Sequence, residues 1–152
     1  MDTRQVIDAL NKAVALEHAA CIQYKQHALL VRGLWRKVYS DFFMSESRGA
    51  QEHAAKFGQK IVALGGIPTV EVGATIRQTL DLEEMLRQDL DLERAAMQAY
   101  LDARQLASDD VALSNMLEDH IEGEQRDIEE LELYLDMVTS GAVAPEVNLR
   151  VV

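Results

Sequence analysis

Hydrophobic residues recur every three to four positions along almost the whole chain, in four long blocks separated by turn-forming residues. The first block runs from about Thr3 to Val31, with Val6, Leu10, Ala13, Ala20, Cys21, Tyr24 and Val31 on one helical face, and it stops near Gly33. The second runs from about Leu34 to Leu64, aligns Trp35, Tyr39, Phe42, Ala50, Phe57, Ile61 and Leu64, and ends at "GGIP". After the long connection "GGIPTVEVGATIRQT", a third block from about Leu80 to Ala107 aligns Leu82, Leu86, Ala96, Tyr100, Ala103 and Ala107. "SDD" breaks it and supplies the N-cap of the fourth, from about Asp110 to Val138, which aligns Leu113, Leu117, Ile121, Ile128, Leu131, Leu135 and Val138. Two short links and one long one predict an all-α, four-helix up-down bundle over residues 5–138, with one crossover between helices two and three. Residues 139–152, with Gly and Pro in "TSGAVAPEVNLRVV", are expected to form a short non-helical tail.

Charge interrupts every stripe near its middle: Glu17 in the first, Glu46 and His53 in the second, Asp89 and Glu93 in the third, Glu124 in the fourth with Asp127 beside it. In "FMSESRGAQEHAAKF" the carboxylate and the imidazole share a face with Phe43, Ala50 and Phe57. The halves also echo each other, since Tyr24 follows Glu17 by seven residues and Tyr100 follows Glu93 by seven, as in a duplicated two-helix unit. Removing one carboxylate from water costs several kcal/mol, so several converging on one core need compensation. A pair of divalent cations supplies it, and oxygen donors with a histidine suit iron or manganese. Each such Glu also has a plainer reading, as the wet edge of a drifting stripe. Tyr24, Asp89 and Tyr100 are candidates to orient ligands by hydrogen bonds, though bundle packing explains the tyrosines as well. His18, His27 and His120 fall off the charged stripe or far along it, and are expected at the surface or the core edge.

The chain's 152 residues, 48% of them hydrophobic, suffice for one domain with a real core. Charges scattered through the first twenty residues exclude a signal peptide or membrane span there, and a cytoplasmic protein is expected. The lone Cys21 excludes an internal disulfide and a cysteine-based zinc cluster. The net charge of -11 is lopsided: residues 1–80 hold 7 acidic against 10 basic side chains, residues 81–138 hold 18 against 4. With no Lys/Arg-rich arm at either end, the charge argues against nucleic acid and for metal cations as partners.

At these residues the chain resembles the ferritin-like di-iron carboxylate proteins, and within them the bacterioferritin and Dps-like branch. The resemblance spans roughly residues 5–138 and rests on "LEHAACIQYKQHALLVRG", "EHAAKFGQKIVALGGIPTV", "LEEMLRQDLDLERA" and "MLEDHIEGEQRDIEELELYL". That family uses one Glu from each of two helices and a Glu-x-x-His from each of the other two. The resemblance implies Glu17 and Glu93 in the single-Glu positions, His53 as the first histidine and Glu124 as the second motif's glutamate. It also shows two departures: Ala50 stands where the bridging glutamate is expected and Asp127 where the second histidine is. Glu46, on the same face as His53, and Asp127 therefore complete the candidate metal set of Glu17, Glu46, His53, Glu93, Glu124 and Asp127.

The implied function is oxidation and storage or detoxification of ferrous iron, with oxygen or peroxide as oxidant. The alternatives are a di-metal oxidase that stores nothing, and a metal-free bundle serving as an oligomerisation module. No haem is expected, because Gln51 occupies the position of the family's haem-binding methionine. Without a fifth helix, a homo-oligomer is expected to be a dimer or a small, Dps-like shell.

Overall fold

The computed structural model describes residues 1–140 and contains four α-helices: α1 (Thr3–Leu30), α2 (Arg36–Ala63), α3 (Leu82–Leu106) and α4 (Val111–Thr139). No strand occurs among the described residues. The expected tail begins at the last residue of α4, and from residue 141 it lies outside the described residues.

Aspartates start three of the helices. Asp2, Asp81 and Asp110 each accept hydrogen bonds from backbone amides of the first turn, satisfying donors that no helical carbonyl can reach. Helix α2 has no such cap and begins at Arg36, after a turn through Gly33 at φ +96. This turn leaves Trp35 outside the helix and 58% exposed, in contrast to its expected place on the buried stripe.

Helix α2 runs back along α1: the Ser40 and Ser47 hydroxyls donate to the carbonyls of Ala28 and Cys21. The crossover then climbs alongside α1. Asn11 holds its lower part, donating to the Ile67 carbonyl (3.1 Å) and accepting from the Thr69 amide (2.8 Å). Higher up, the Gly73 amide donates to the Ala15 carbonyl at 2.7 Å, and a Cβ at Gly73 would sit 2.8 Å from the Ala15 carbonyl carbon, so only glycine allows this approach. The chain is thereby returned to the far end of the bundle, and α3 descends antiparallel to α1 before α4 rises beside it. Arg94–Glu132 and Arg104–Glu118 ion pairs mark the α3–α4 pairing.

Two apolar plugs bracket the middle of the bundle. On one side Phe43 packs 6.2 Å from the Tyr24 ring, and on the other Phe57 packs 5.0 Å from Tyr100, with Leu10, Ile61, Leu113 and Leu117 beyond. Burying each large apolar side chain stabilises the fold by about 1.5–3 kcal/mol. Between the plugs lies a layer of carboxylates.

Candidate metal centre

The layer is built by antiparallel register. Because α1 and α3 run in opposite directions, the seven-residue spacing of Glu and Tyr on each helix makes the pairs meet reciprocally. The Tyr24 hydroxyl donates to Glu93 Oε1, and the Tyr100 hydroxyl donates to Glu17 Oε1. The echo between the halves is thus a pseudo-twofold pair of hydrogen bonds, each tyrosine fixing the other half's glutamate.

Glu17, His53 and Glu124 come together, each offering a ligand atom within 4.8 Å of the other two. Glu17 and Glu124 are both 2% exposed, while His53 is half-buried, its Nδ1 3.7 Å from Glu17 Oε1. Glu93, also buried, shares a hydrogen bond with Glu124, which two carboxyl groups can do only if one keeps a proton. Burial is the first cause of the upward shifts here. It pushes Glu124 up to about 12, aided by the charges of Glu93 and Glu17 and by donation of its own proton to Glu93. Glu93 rises to about 8, and Glu17 well above the usual carboxylate range, again by burial first. Burial also holds the His53 imidazole below its ordinary value. Without a metal ion, burial and mutual repulsion favour the protonated forms of these carboxyls.

Glu46 and Asp127 lie at the layer's half-open side and outside the group of three. Burial raises Glu46 to about 8, and the charges of Asp127 and Glu93 push in the same direction. Ala50 is buried and fills its position with a methyl group alone. Asp89, expected to support the ligands, instead pairs with His27, its Oδ2 2.8 Å from Nδ1.

Two histidines expected at the surface or core edge are in the core. His27 is fully buried against Asp89, Gln23 and Gln88. His120 is 8% exposed, and its ring centre lies 5.0 Å from that of His53. Each carries a signal in the sequence: His27 follows Tyr24 by one helical turn, and His120 precedes Glu124 by one. His18 is half-buried and binds the Glu71 carbonyl of the crossover.

The donors fit a cation on an observation of their own. Glu124 Oε2 is buried and has no hydrogen-bond partner. A buried carboxyl with an orphaned oxygen, grouped with a second carboxyl and an imidazole, is an environment that a divalent ion satisfies and an apolar core does not.

The sequence pattern of the ferritin-like domain family matches residues 7–139. The chain belongs to the ferritin-like family. A solved structure of a ferritin-like diiron-carboxylate protein from Bacillus anthracis str. Ames superposes with a TM-score of 0.84 at 34% identity, covering 89% of this chain and 98% of that one. Two curated relatives, both named nutrient stress-induced DNA-binding protein, come from Nostoc sp. and Synechococcus sp.. They are 32% and 29% identical over 66 residues, 43% of this chain. These alignments span only 36% and 38% of the relatives' own length. Among the described residues, no helix of this ferritin-like chain is long and apolar enough to cross a membrane.

Proposed function

We propose that this chain binds ferrous iron between its helices and oxidises it, as a ferritin-like subunit that detoxifies or stores the product. The observation that carries the reading is the Glu17–His53–Glu124 group, with its orphaned Glu124 oxygen. Glu17, His53 and Glu124 would hold one ion; Glu93, with Glu46 and Asp127 from the half-open side, would hold a second, manganese being an acceptable substitute in so oxygen-rich a set. Iron supplies the electrons, one per ion, to oxygen or peroxide.

What the protein contributes is position and protons. The Tyr24 and Tyr100 hydroxyls hold Glu93 and Glu17, each by its Oε1. Ligand carboxyls must be deprotonated, so metal binding displaces the proton that Glu124 holds toward Glu93. The reading includes no haem, because Gln51 offers an amide where the resemblance puts the haem-binding methionine. It also includes no nucleic acid, despite the names of the cyanobacterial relatives, because 18 acidic side chains against 4 basic ones on residues 81–138 repel phosphate.

Anomalous scattering at the iron edge from crystals grown with Fe2+ tests the site directly. The expected result is density bounded by Glu17, His53 and Glu124; iron found elsewhere, or none, refutes the assignment. The departures at Ala50 and Asp127 favour a second reading, an oxidase that stores nothing. Assembly mass separates the two, since a closed shell implies storage and a dimer does not. Light scattering is expected to show a dimer or a small, Dps-like shell.

A further inference from the structure

His120 sits on α4 one turn before Glu124, on the face that carries Leu113, Leu117 and Glu124 inward. Its Nδ1 lies 2.7 Å from the Met116 carbonyl oxygen. A carbonyl can only accept, so Nδ1 carries the ring proton and Nε2 keeps its lone pair. No other hydrogen bond to this side chain occurs among the described residues. The chain therefore holds a nearly buried imidazole in a fixed tautomer, with one nitrogen tied to the backbone and the other unused. Metal-binding histidines share this arrangement: the carbonyl orients the ring and makes the free nitrogen a better donor.

The position is as telling as the tautomer. The His120 and His53 ring centres are 5.0 Å apart, with their planes at 71°. Metal–nitrogen bonds of about 2.1 Å put the centres of two imidazoles on one ion roughly 5 Å apart. Phe57 and Tyr100 pack beside it, with ring centres 4.8 and 6.2 Å from that of His120. Asp127, one turn after Glu124, offers only oxygen, so His120 is the nitrogen that α4 has available.

We propose that His120 is a metal ligand, whose Nε2 completes a set of two histidines and two carboxylates with Glu17, His53 and Glu124. The inference rests on the metal-centre reading above. His120 stands outside the group whose donor atoms lie within 4.8 Å of one another, so binding draws its ring inward. A second imidazole biases this position toward borderline transition metals and away from Mg2+ and Ca2+.

Pulsed EPR of the full chain loaded with one equivalent of Cu2+ tests the proposal. The remote nitrogen of each bound imidazole modulates the echo, and two imidazoles on one ion add combination lines that one cannot give. Such lines are expected in the unaltered protein and should vanish in His120→Phe, which keeps a ring against Phe57 and His53 but has no nitrogen. Co2+ affinity should fall in parallel by on the order of tenfold or more. His120→Leu repeats the measurement should the larger ring disturb folding. Combination lines that persist in both variants, or a single-imidazole pattern in the unaltered protein, overturn the ligand role. If Glu17→Gln and Glu124→Gln weaken Co2+ binding while His120→Phe does not, only the role of His120 falls. If none of the three matters, the metal centre itself is misassigned.

Discussion

The bundle carries two buried polar clusters, one helical turn apart on α3, that balance charge in opposite ways. Around Asp89, the His27 ring donates from Nδ1 at 2.8 Å, and its other nitrogen lies 2.7 Å from the Gln23 amide and 3.2 Å from Gln88 Oε1. Around Glu93, three carboxylates converge, and the nearest cationic candidate is a half-buried His53, 3.7 Å from Glu17. Burial does not distinguish them, since Asp89 is 0% exposed and Glu124 2%. Each even has one orphaned oxygen, Asp89 Oδ1 and Glu124 Oε2. What differs is the neighbour of the orphan. Asp89 Oδ1 belongs to a group already matched to an imidazole, and a water molecule would satisfy it. Glu124 Oε2 sits among like charges, which only protons or a cation relieve. A self-sufficient cluster holds the fold together; an unbalanced one is what a bound cation would complete.

The two clusters should therefore respond to truncation with opposite signs. The largest effect is expected from His27→Ala, which leaves Asp89 buried without its partner and should cost about 3–5 kcal/mol. Urea unfolding of the metal-free protein measures it. A loss under about 1 kcal/mol would mean that Asp89 is matched by something other than His27.

In the unbalanced cluster, removing a charge should help. Glu17→Gln and Glu124→Gln are expected to leave metal-free stability unchanged or raise it by about 1–4 kcal/mol, while iron bound per chain falls. The choice of replacement matters. Glu17→Leu and Glu93→Leu would also relieve repulsion, but each leaves a buried tyrosine hydroxyl without an acceptor, Tyr100 in the first case and Tyr24 in the second. That costs about 1–3 kcal/mol and can cancel the gain. Glutamine keeps the acceptor. A Gln variant that binds iron normally would refute the site whatever its stability.

Much of this contrast is legible in the sequence, and part is not. Four helices, their order and the crossover follow from stripes and turn residues that are local in sequence, and the observed boundaries differ by only about two residues where a glycine turn or an aspartate cap decides them. The reciprocal Tyr–Glu pairs are visible as an echo, but not as contacts, because the antiparallel register of α1 against α3 arises only on folding. His27 and His120 escape a sequence reading for the same reason. A histidine on an apolar face reads as an edge residue until the opposite helix brings Asp89 or His53 to it. Trp35 differs in the other direction: periodicity cannot tell a stripe's first residue from the turn before it.

The pH dependence offers a gentler form of the comparison. In the folded, metal-free protein Glu124 is raised to about 12, Glu93 and Glu46 to about 8, and Asp89 to about 6. In the unfolded chain these carboxyls titrate near 4. Between about pH 4 and 8 the folded state thus binds more protons than the unfolded state, and stability falls as pH rises, by up to about 1.4 kcal/mol per unit for each proton of difference. Urea midpoints in chelator should therefore be higher at pH 5 than at pH 8, opposite to the acid sensitivity of proteins held by ionised carboxylates. Glu124→Gln should flatten the slope. His27, in the balanced cluster, should contribute to stability at every pH where Asp89 is ionised, so a slope abolished by His27→Ala alone would assign the effect to the wrong cluster.

The smallest expected effect belongs to Glu46, and it sharpens where the unbalanced cluster ends. Its side chain is half-buried and feels Asp127, Glu93 and Asp89. It stands four residues before Ala50, so its Cα is about 6 Å up the helix from the position that lacks a carboxylate. The Glu17–His53–Glu124 group does not include it. Glu46→Gln should consequently raise metal-free stability at neutral pH, because burial and the charges of Asp127 and Glu93 disfavour its ionised form, but by less than Glu17→Gln or Glu124→Gln, since the side chain is partly solvated. The first equivalent of Fe2+ should bind as in the unaltered protein, and the second more weakly, in a calorimetric titration under anaerobic conditions. Loss of the first equivalent would place Glu46 inside the principal site and show that it replaces the missing glutamate at 50. No change in either equivalent would confine the cluster's function to the three residues that already meet.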